Sequence, residues 1–563
     1  MDVINHIMWA LGNMAVHPGR LLVFFFFHPL FFKLAFLSPF FALLWLAKLT
    51  KKPSLAASCG HYIFGCISAL MILIYLFSIR NYLFSHAFSD HIEPDIASVS
   101  WFFWNGNAVY HNLVTQERYS LLYGPYLYVF IGFFQTMLGP NIFATKLPCA
   151  LAATMALLLL FIAICRKSTW RRALCLTGLA AALLLSFGFF SFWARSDPFI
   201  LLAVALGVFA TTQKGWLCPL LLGLSLGVAV NLKVHSLVYF LPLFLLAWRQ
   251  KPSVAEIFAC LSIAFVTMAL PFVVFDNISL VNYFALLKMA SHHGFGAWIC
   301  LNNLGRFSML ILPAVIGMTF ERMCVKNENL YSFKFQCSYF VAILLAFLLI
   351  LPPASKFGSG PHHLIPFIPI IAFMGAFYLM PVPLLRSYSS KPMGIILMLA
   401  LAWWVSSSIF NGIIGGYDTN LFVRRNEDQA RRCIIDVRRI VRDHPHYTVL
   451  AGTGSDDSYG VTFSRCELTF EGMPIGVDPG AMMDFEQSGL GHISLASLIG
   501  EIKKNYSAPA LWIVPKNSPP FTTRSLYPSR NPVFADAFRT DFVKTYTRTE
   551  TTEFFDIYSL PEK

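Results

Sequence analysis

The residues best suited to chemistry lie in one short run, Ser89-Asp90-His91-Ile92-Glu93-Pro94-Asp95, directly after an apolar stretch, Tyr62 to Phe84, long enough to cross a bilayer. A knot of carboxylates therefore sits at a membrane surface. The chain has only 29 Asp and Glu among 563 residues. A carboxylate in lipid costs about 2.5–3.5 kcal/mol at a helix centre and less near the surface, so it is usually kept for function or paired with a base. A single carboxylate within hydrogen-bond reach of a hydroxyl can take its proton as a new bond forms. Asp90 and Glu93 both qualify, and the short acidic stretch does not choose between them. Beyond Asp95 come Trp101, Trp104 and Tyr110. Flat rings beside carboxylates suit the apolar faces and hydroxyl rims of sugars, although aromatic residues also anchor helices at any membrane interface.

Composition decides what must position these groups. With 56% hydrophobic and 13% charged residues, a soluble shell cannot cover the apolar surface, whereas lipid can. The chain reads as a mainly α-helical polytopic membrane protein with about 11–13 transmembrane helices, counted from apolar runs of spanning length. The net charge of +13 is not a nucleic-acid signature, because basic residues sit mainly in short turns, where they set topology. The turns carry Lys48, Lys51 and Lys52; Arg166, Lys167, Arg171 and Arg172; Arg249 and Lys251; Arg322, Lys326 and Lys334; and Arg386 and Lys391. Placing them in the cytoplasm puts five segments on the opposite face: 85–122, Phe192 to Pro198, Asn231 to Ser236, 276–304 and Pro353 to His363.

That face gathers cations around the acidic knot. Arg195 and Asp197 lie in one turn, Lys233 and His235 in another, and Lys356, His362 and His363 in a third. Together they can hold a lipid phosphate at headgroup depth while a carboxylate acts on a group arriving from water. His362 and His363 are also potential metal ligands, although adjacent histidines on a helix point apart. The need for a metal or other cofactor stays open at this level.

Some features do not fit a simple threading. Two apolar runs, 123–139 and 142–164, occupy a stretch where parity allows one span or three, so one is expected to be re-entrant or flat on the surface. Leu21 to Lys48 is broken by His28-Pro29 and Ser38-Pro39. Residues 1–59 form an N-terminal membrane-associated segment without the pattern of a cleaved signal peptide. The 12 cysteines are scattered singly, without metal-like spacing; only a Cys433–Cys466 bridge in an oxidising compartment presents itself.

Residues 60–414 read as the membrane unit, with 85–122 as its first outer loop, and 415–563 as a soluble α/β domain on the non-cytoplasmic side. In the latter, a polar amphipathic helix at Asn426 to Asp443 leads into a strand at Tyr447 to Ala451, and a helix at Leu495 to Asn505 into a strand at Ala510 to Val514. Gly452-Thr453-Gly454-Ser455 lacks the remaining glycine and lysine of a phosphate loop and reads as a plain turn.

The order of motifs resembles a known family. After the acidic knot come Tyr119-Ser120-Leu121-Leu122-Tyr123-Gly124-Pro125-Tyr126-Leu127-Tyr128, Leu138-Gly139-Pro140, Lys146-Leu147-Pro148, Ala194-Arg195-Ser196-Asp197-Pro198 and Gly360-Pro361-His362-His363-Leu364-Ile365-Pro366. This arrangement, over roughly 60–380, resembles the polytopic GT-C glycosyltransferases, particularly bacterial mannosyltransferases and lipid A sugar transferases. The resemblance implies a polyprenyl-phosphate-linked sugar donor, a glycan, lipid or protein acceptor, inversion at the sugar carbon, and a bacterial inner membrane with the site facing the periplasm. It places the catalytic carboxylate on Asp90 or Glu93. On this reading Arg195, Lys233, His362 and His363 hold the donor phosphate, and Asp95, Trp101, Trp104 and Tyr123 line the substrate site. A multi-pass transporter or flippase of a lipid-linked sugar is the alternative, although no internal symmetry or paired broken helices support it.

Overall fold

The computed structural model describes residues 53–249, 252–324, 330–378 and 392–561. The run Leu21 to Lys48 and the basic positions Lys48, Lys51, Lys52, Lys251, Lys326, Arg386 and Lys391 lie outside them.

Helix α1 (Pro53–Leu83) delivers the chain to the acidic knot, and the short α2 (Glu93–Trp104) starts inside it. Then come α3 (Tyr126–Leu138), α4 (Ile142–Cys165), α5 (Trp170–Leu185), α6 (Asp197–Ala210), α7 (Leu217–Leu232), a 3₁₀ turn at Val234–Phe240, α8 (Leu241–Trp248) and α9 (Val254–Val274). Helices α10 (Leu280–Ala290), α11 (Ala297–Cys324), α12 (Leu330–Ala354) and α13 (Phe367–Tyr378) follow. Local signals set several starts. Asn141 accepts from the Ala144 amide at 2.8 Å to open α4, and Ser253 with Glu256 closes a capping box on α9.

Among the described residues, six helices are long and apolar enough to cross a membrane, and the other apolar helices are shorter. The expected 11–13 spans counted apolar runs; proline and polar residues at their ends trim several below full length. Helix α3 has 13 residues and reaches about 20 Å at 1.5 Å per residue, short of an about 30 Å core. Of the two runs with conflicting parity, only α4, with 24 residues, has spanning length.

Helix α14 (Pro392–Asp443) runs for 52 residues from an apolar start into the amphipathic stretch without a break. Its Cys433, Ile434, Val437 and Ile440 are buried, a helical spacing that turns one stripe inward. Beyond it lie β1 (Thr448–Ala451), α15 (Cys466–Phe470), α16 (Pro479–Gln487), α17 (Leu495–Ile502), β2 (Ala510–Pro515), α18 (Asp536–Thr545), β3 (Thr547–Thr551) and β4 (Phe555–Ser559). The strand order is β1-β2-β4-β3, with β1 parallel to β2 and the other pairs antiparallel. Alternate residues of β2 serve two small cores: Trp512 and Val514 on one side, Leu511 and Ile513 on the other. Cys433 and Cys466 are separate buried thiols. The Gly452 turn spends its backbone internally, on Ile513, Phe521 and Thr523, as a plain turn does.

The five segments assigned to one face meet at one end of the bundle. Gly124 N donates to Leu232 O at 3.1 Å, Val109 N to Asn277 O at 3.2 Å, and Gly296 N to Ser355 O at 2.8 Å. A side chain at 124 has no room: its Cβ would lie 1.4 Å from Asn231 O.

Candidate active site

Three anchors fix the acidic knot. Lys146, on α4, is fully buried, and its Nζ donates to Tyr82 O at 3.2 Å, Ser85 O at 2.9 Å and Ala87 O at 2.6 Å. It also lies 3.9 Å from the Tyr82 ring centroid. One cation thereby gathers the carbonyls that end α1 and holds the loop in a tight bend. Glu93 is the second anchor and is 0% exposed. Its Oε1 accepts from Ser89 N at 2.8 Å and Ser89 Oγ at 2.6 Å, and its Oε2 from Ala194 N at 2.8 Å and from the Tyr82 hydroxyl. All its acceptor capacity goes to tying the first outer loop to the turn that carries Arg195. Burial raises the Glu93 carboxyl above its ordinary value, against the opposing charge of Lys146.

The third anchor is Asp478, at the N-terminus of α16, which accepts from the Gly480 and Ala481 amides and pairs with Arg465. Arg465 in turn donates to His91 O at 2.6 Å, so the C-terminal region grips the knot directly.

Asp90 is placed differently. Its Oδ1 accepts from Ile92 N at 2.7 Å and its Oδ2 from Arg195 Nη1 at 3.2 Å, and its side chain keeps 20% of its exposure. Burial pushes the carboxyl up, but the Arg195 guanidinium and the neighbouring His91 outweigh it and hold Asp90 below its ordinary value. It is therefore ionised at neutral pH.

The cations expected around it are present. Arg195 also donates to the Tyr123 hydroxyl and lies 4.1 Å over Trp193, and its Nε has no hydrogen-bond partner among the described residues. Lys233 Nζ donates to Asp197 Oδ1 at 2.7 Å and Trp193 Nε1 to Asp197 Oδ2 at 3.0 Å. Tyr123 stands between both cations, with Lys233 5.6 Å and Arg195 5.5 Å from its ring centroid. His363 Nδ1 and His235 Nε2 are 3.1 Å apart. His362 packs 5.8 Å from Trp193 and 4.4 Å from His363. The two adjacent histidines do not point apart: they lie on a 3₁₀ turn, Pro361–Leu364, rather than on an α-helix. Among the described residues no group of three or more His, Cys, Asp or Glu forms a metal-like cluster.

The structure thus gathers Asp90, Arg195, Tyr123, Lys233, His362 and His363. It does not bring the other expected residues to open space. Asp95 is 0% exposed and lies against Asp478. Burial and the adjacent Asp478 push its carboxyl well up, and it sits inside the joint between α2 and the C-terminal region. Trp104 donates to Val129 O at 3.3 Å and packs on Phe103, Phe133 and Phe275; it fills a helix contact. Trp101 is half-buried on the same helix. Sequence reasoning missed Tyr82, Asp478 and the anchoring role of Lys146. A lone lysine inside an apolar run was the available signal for the last.

No family model and no curated protein matches the sequence. Among solved structures, ArnT from Cupriavidus metallidurans in the apo state aligns with 89% of this chain and 98% of its own, at 12% identity and a TM-score of 0.53. The same protein bound to undecaprenyl phosphate gives 12% identity, 88% and 97% coverage and a TM-score of 0.49. The apo oligosaccharyltransferase of Archaeoglobus fulgidus gives 12%, 81% and 69%, and 0.42. The chain shares its fold with ArnT, a mainly helical membrane bundle, and carries a small C-terminal α/β unit.

Proposed function

We propose that the chain transfers a sugar from a polyprenyl-phosphate donor to a hydroxyl of a cell-envelope glycan, lipid or protein, with inversion, at the non-cytoplasmic surface of a bacterial inner membrane. The observation that carries the reading is the pairing of an ionised, partly exposed Asp90 with Arg195, beside Lys233 and the histidine turn, in a fold shared with ArnT. The acceptor hydroxyl loses its proton to Asp90 Oδ2 as its oxygen bonds to the anomeric carbon. The bond from that carbon to phosphate oxygen breaks on the opposite face, and the electron pair leaves with the phosphate. One base suffices, because phosphate departs without an acid. Arg195 and Lys233 are preplaced for the negative charge that builds there, and His363 adds a donor. Asp90 takes the base role, because Glu93 has spent its lone pairs on structure.

Two features of the site argue against the transporter reading: the base is positioned by a rigid turn, and its cation partner already lies beside it. Asp90→Asn in protein reconstituted into lipid should lower kcat by about 10²- to 10⁴-fold with unchanged insertion and melting. Full turnover by this variant on its donor overturns the assignment.

A further inference from the structure

A second polar cluster lies on the C-terminal side of the acidic knot. Helix α16 begins against the acidic knot: a Cβ on Gly480 would lie 3.0 Å from Ile92 Cδ1 and 3.3 Å from His91 Cδ2. One turn and a half further on, Asp484 Oδ1 accepts from the Tyr527 hydroxyl at 2.5 Å, and His293 Nδ1 lies 3.3 Å from the same hydroxyl. The three side chains come from α16, from the loop after α10, and from the loop between β2 and α18. Asp484 feels the charges of His91 and Arg195, and Tyr527 those of Arg195 and Tyr123, so the cluster lies within electrostatic reach of the proposed reaction centre. It also borders the turn leading to His362 and His363, since a Cβ on Gly358 would meet the Tyr527 oxygen at 2.9 Å.

The hydrogen bonding inside the cluster is incomplete in a specific way. Tyr527 has one proton, which goes to Asp484, so its oxygen accepts from the Nδ1–H of a neutral His293. That tautomer leaves Nε2 as an acceptor, which is buried 3.9 Å from Asp484 Oδ1 without a hydrogen-bond partner among the described residues. Asp484 Oδ2 carries no hydrogen bond among the described residues, and the side chain keeps 15% of its exposure. Two acceptors, one on His293 and one on Asp484, are thus left without donors among the described residues. A buried acceptor left unmade costs free energy unless something supplies a donor.

We infer that Asp484, Tyr527 and His293 form a hydroxyl-binding subsite for a sugar ring, with two ring hydroxyls donating to Asp484 Oδ2 and His293 Nε2. The inference rests on the proposed glycosyl transfer and adds to it a C-terminal contribution to substrate recognition. Arg195, close enough to act on Asp484, disfavours a cationic ligand there, whereas neutral hydroxyls meet no such repulsion. The sugar is either that of the donor or a residue of the acceptor.

The test uses the full chain in lipid nanodiscs and saturation-transfer NMR with methyl glycosides of mannose, glucose, galactose and arabinose. At least one should bind, with ring-proton contacts, and Asp484→Asn or Tyr527→Phe should weaken it by about tenfold or more. Displacement by the undecaprenyl-phosphate-linked form of the same sugar assigns the subsite to the donor; simultaneous occupancy assigns it to the acceptor. If no glycoside binds the wild-type chain, or if both cluster variants bind as tightly as wild type and only melt earlier, the cluster is a structural strut and the inference falls. Turnover by Asp90→Asn, measured separately, bears on the transfer reading alone.

Discussion

Two carboxylates three residues apart differ in every property that matters to catalysis. Glu93 is enclosed and accepts four hydrogen bonds; Asp90 is partly open and held ionised by Arg195. Sequence alone could not separate them, because the deciding groups, Tyr82 and the Ala194 amide, lie 11 and 101 residues from Glu93. Glu93→Gln should therefore act on structure first: it replaces an acceptor oxygen with a donor amide facing donors, and melting in detergent should fall by about 1–3 kcal/mol. Asp90→Asn should melt as wild type does. Lys146→Met should be costlier, about 2–4 kcal/mol, because three carbonyls and Glu93 lose their shared cation; a melting temperature equal to wild type would show that the bend holds itself. The charged turns at Arg195, Lys233 and His362-His363 were legible from the sequence, since ionisable residues between apolar runs stand out. Asp95 was misleading for the same reason: a carboxylate near a membrane looks functional even where it is enclosed inside a joint.

At the scale of elements, apolar runs located most of the membrane helices but not their lengths, and the short α2, α10, α15, α16 and α18 went unmarked. Helix α3 stops after 13 residues, and α14 continues through the change of composition after Phe410, because a helix ends where its backbone loses partners rather than where hydrophobicity falls. The strands β3 and β4 escaped notice: β3 is exposed along its whole length, so no apolar alternation marks it. The contact between the first outer loop and the C-terminal region was equally invisible, being built by residues some 360 positions apart. Arg118 N donates to Gly476 O at 3.0 Å, and Asp478 N to Arg118 O at 2.7 Å. Glu501 accepts from Gln116 N at 2.7 Å and Glu117 N at 3.2 Å. Burial and the nearby Glu501 raise the Glu117 carboxyl to about 7. A folded value above the unfolded one means that the folded chain binds the extra proton, so this contribution is complete below the unfolded value and is lost as pH rises through about 7. Protection factors at 112–119, which divide out the intrinsic pH dependence of amide exchange, should fall over that interval in the wild-type chain and stay constant in Glu117→Gln. Wild-type protection factors that stay constant between pH 5 and 8 contradict the coupling.

The whole molecule places its chemistry at one end of a helical bundle and closes that end with the C-terminal α/β unit. The arrangement predicts a single sidedness: a reporter fused after Lys563 should be active only outside the cytoplasm, and cytoplasmic activity would invert the topology. It also predicts where the lipid carrier binds, since a phosphate needs cations at headgroup depth and the gathered ones are Arg195 and Lys233. The most direct measurement is a structure of the chain with a non-hydrolysable polyprenyl-phosphate sugar analogue bound. The account predicts phosphate oxygens within hydrogen-bond distance of Arg195 and Lys233, about 2.7–3.2 Å, with Asp90 Oδ2 facing the anomeric carbon from the opposite side. A phosphate seated away from both cations, or an anomeric carbon that Asp90 cannot reach, would contradict it.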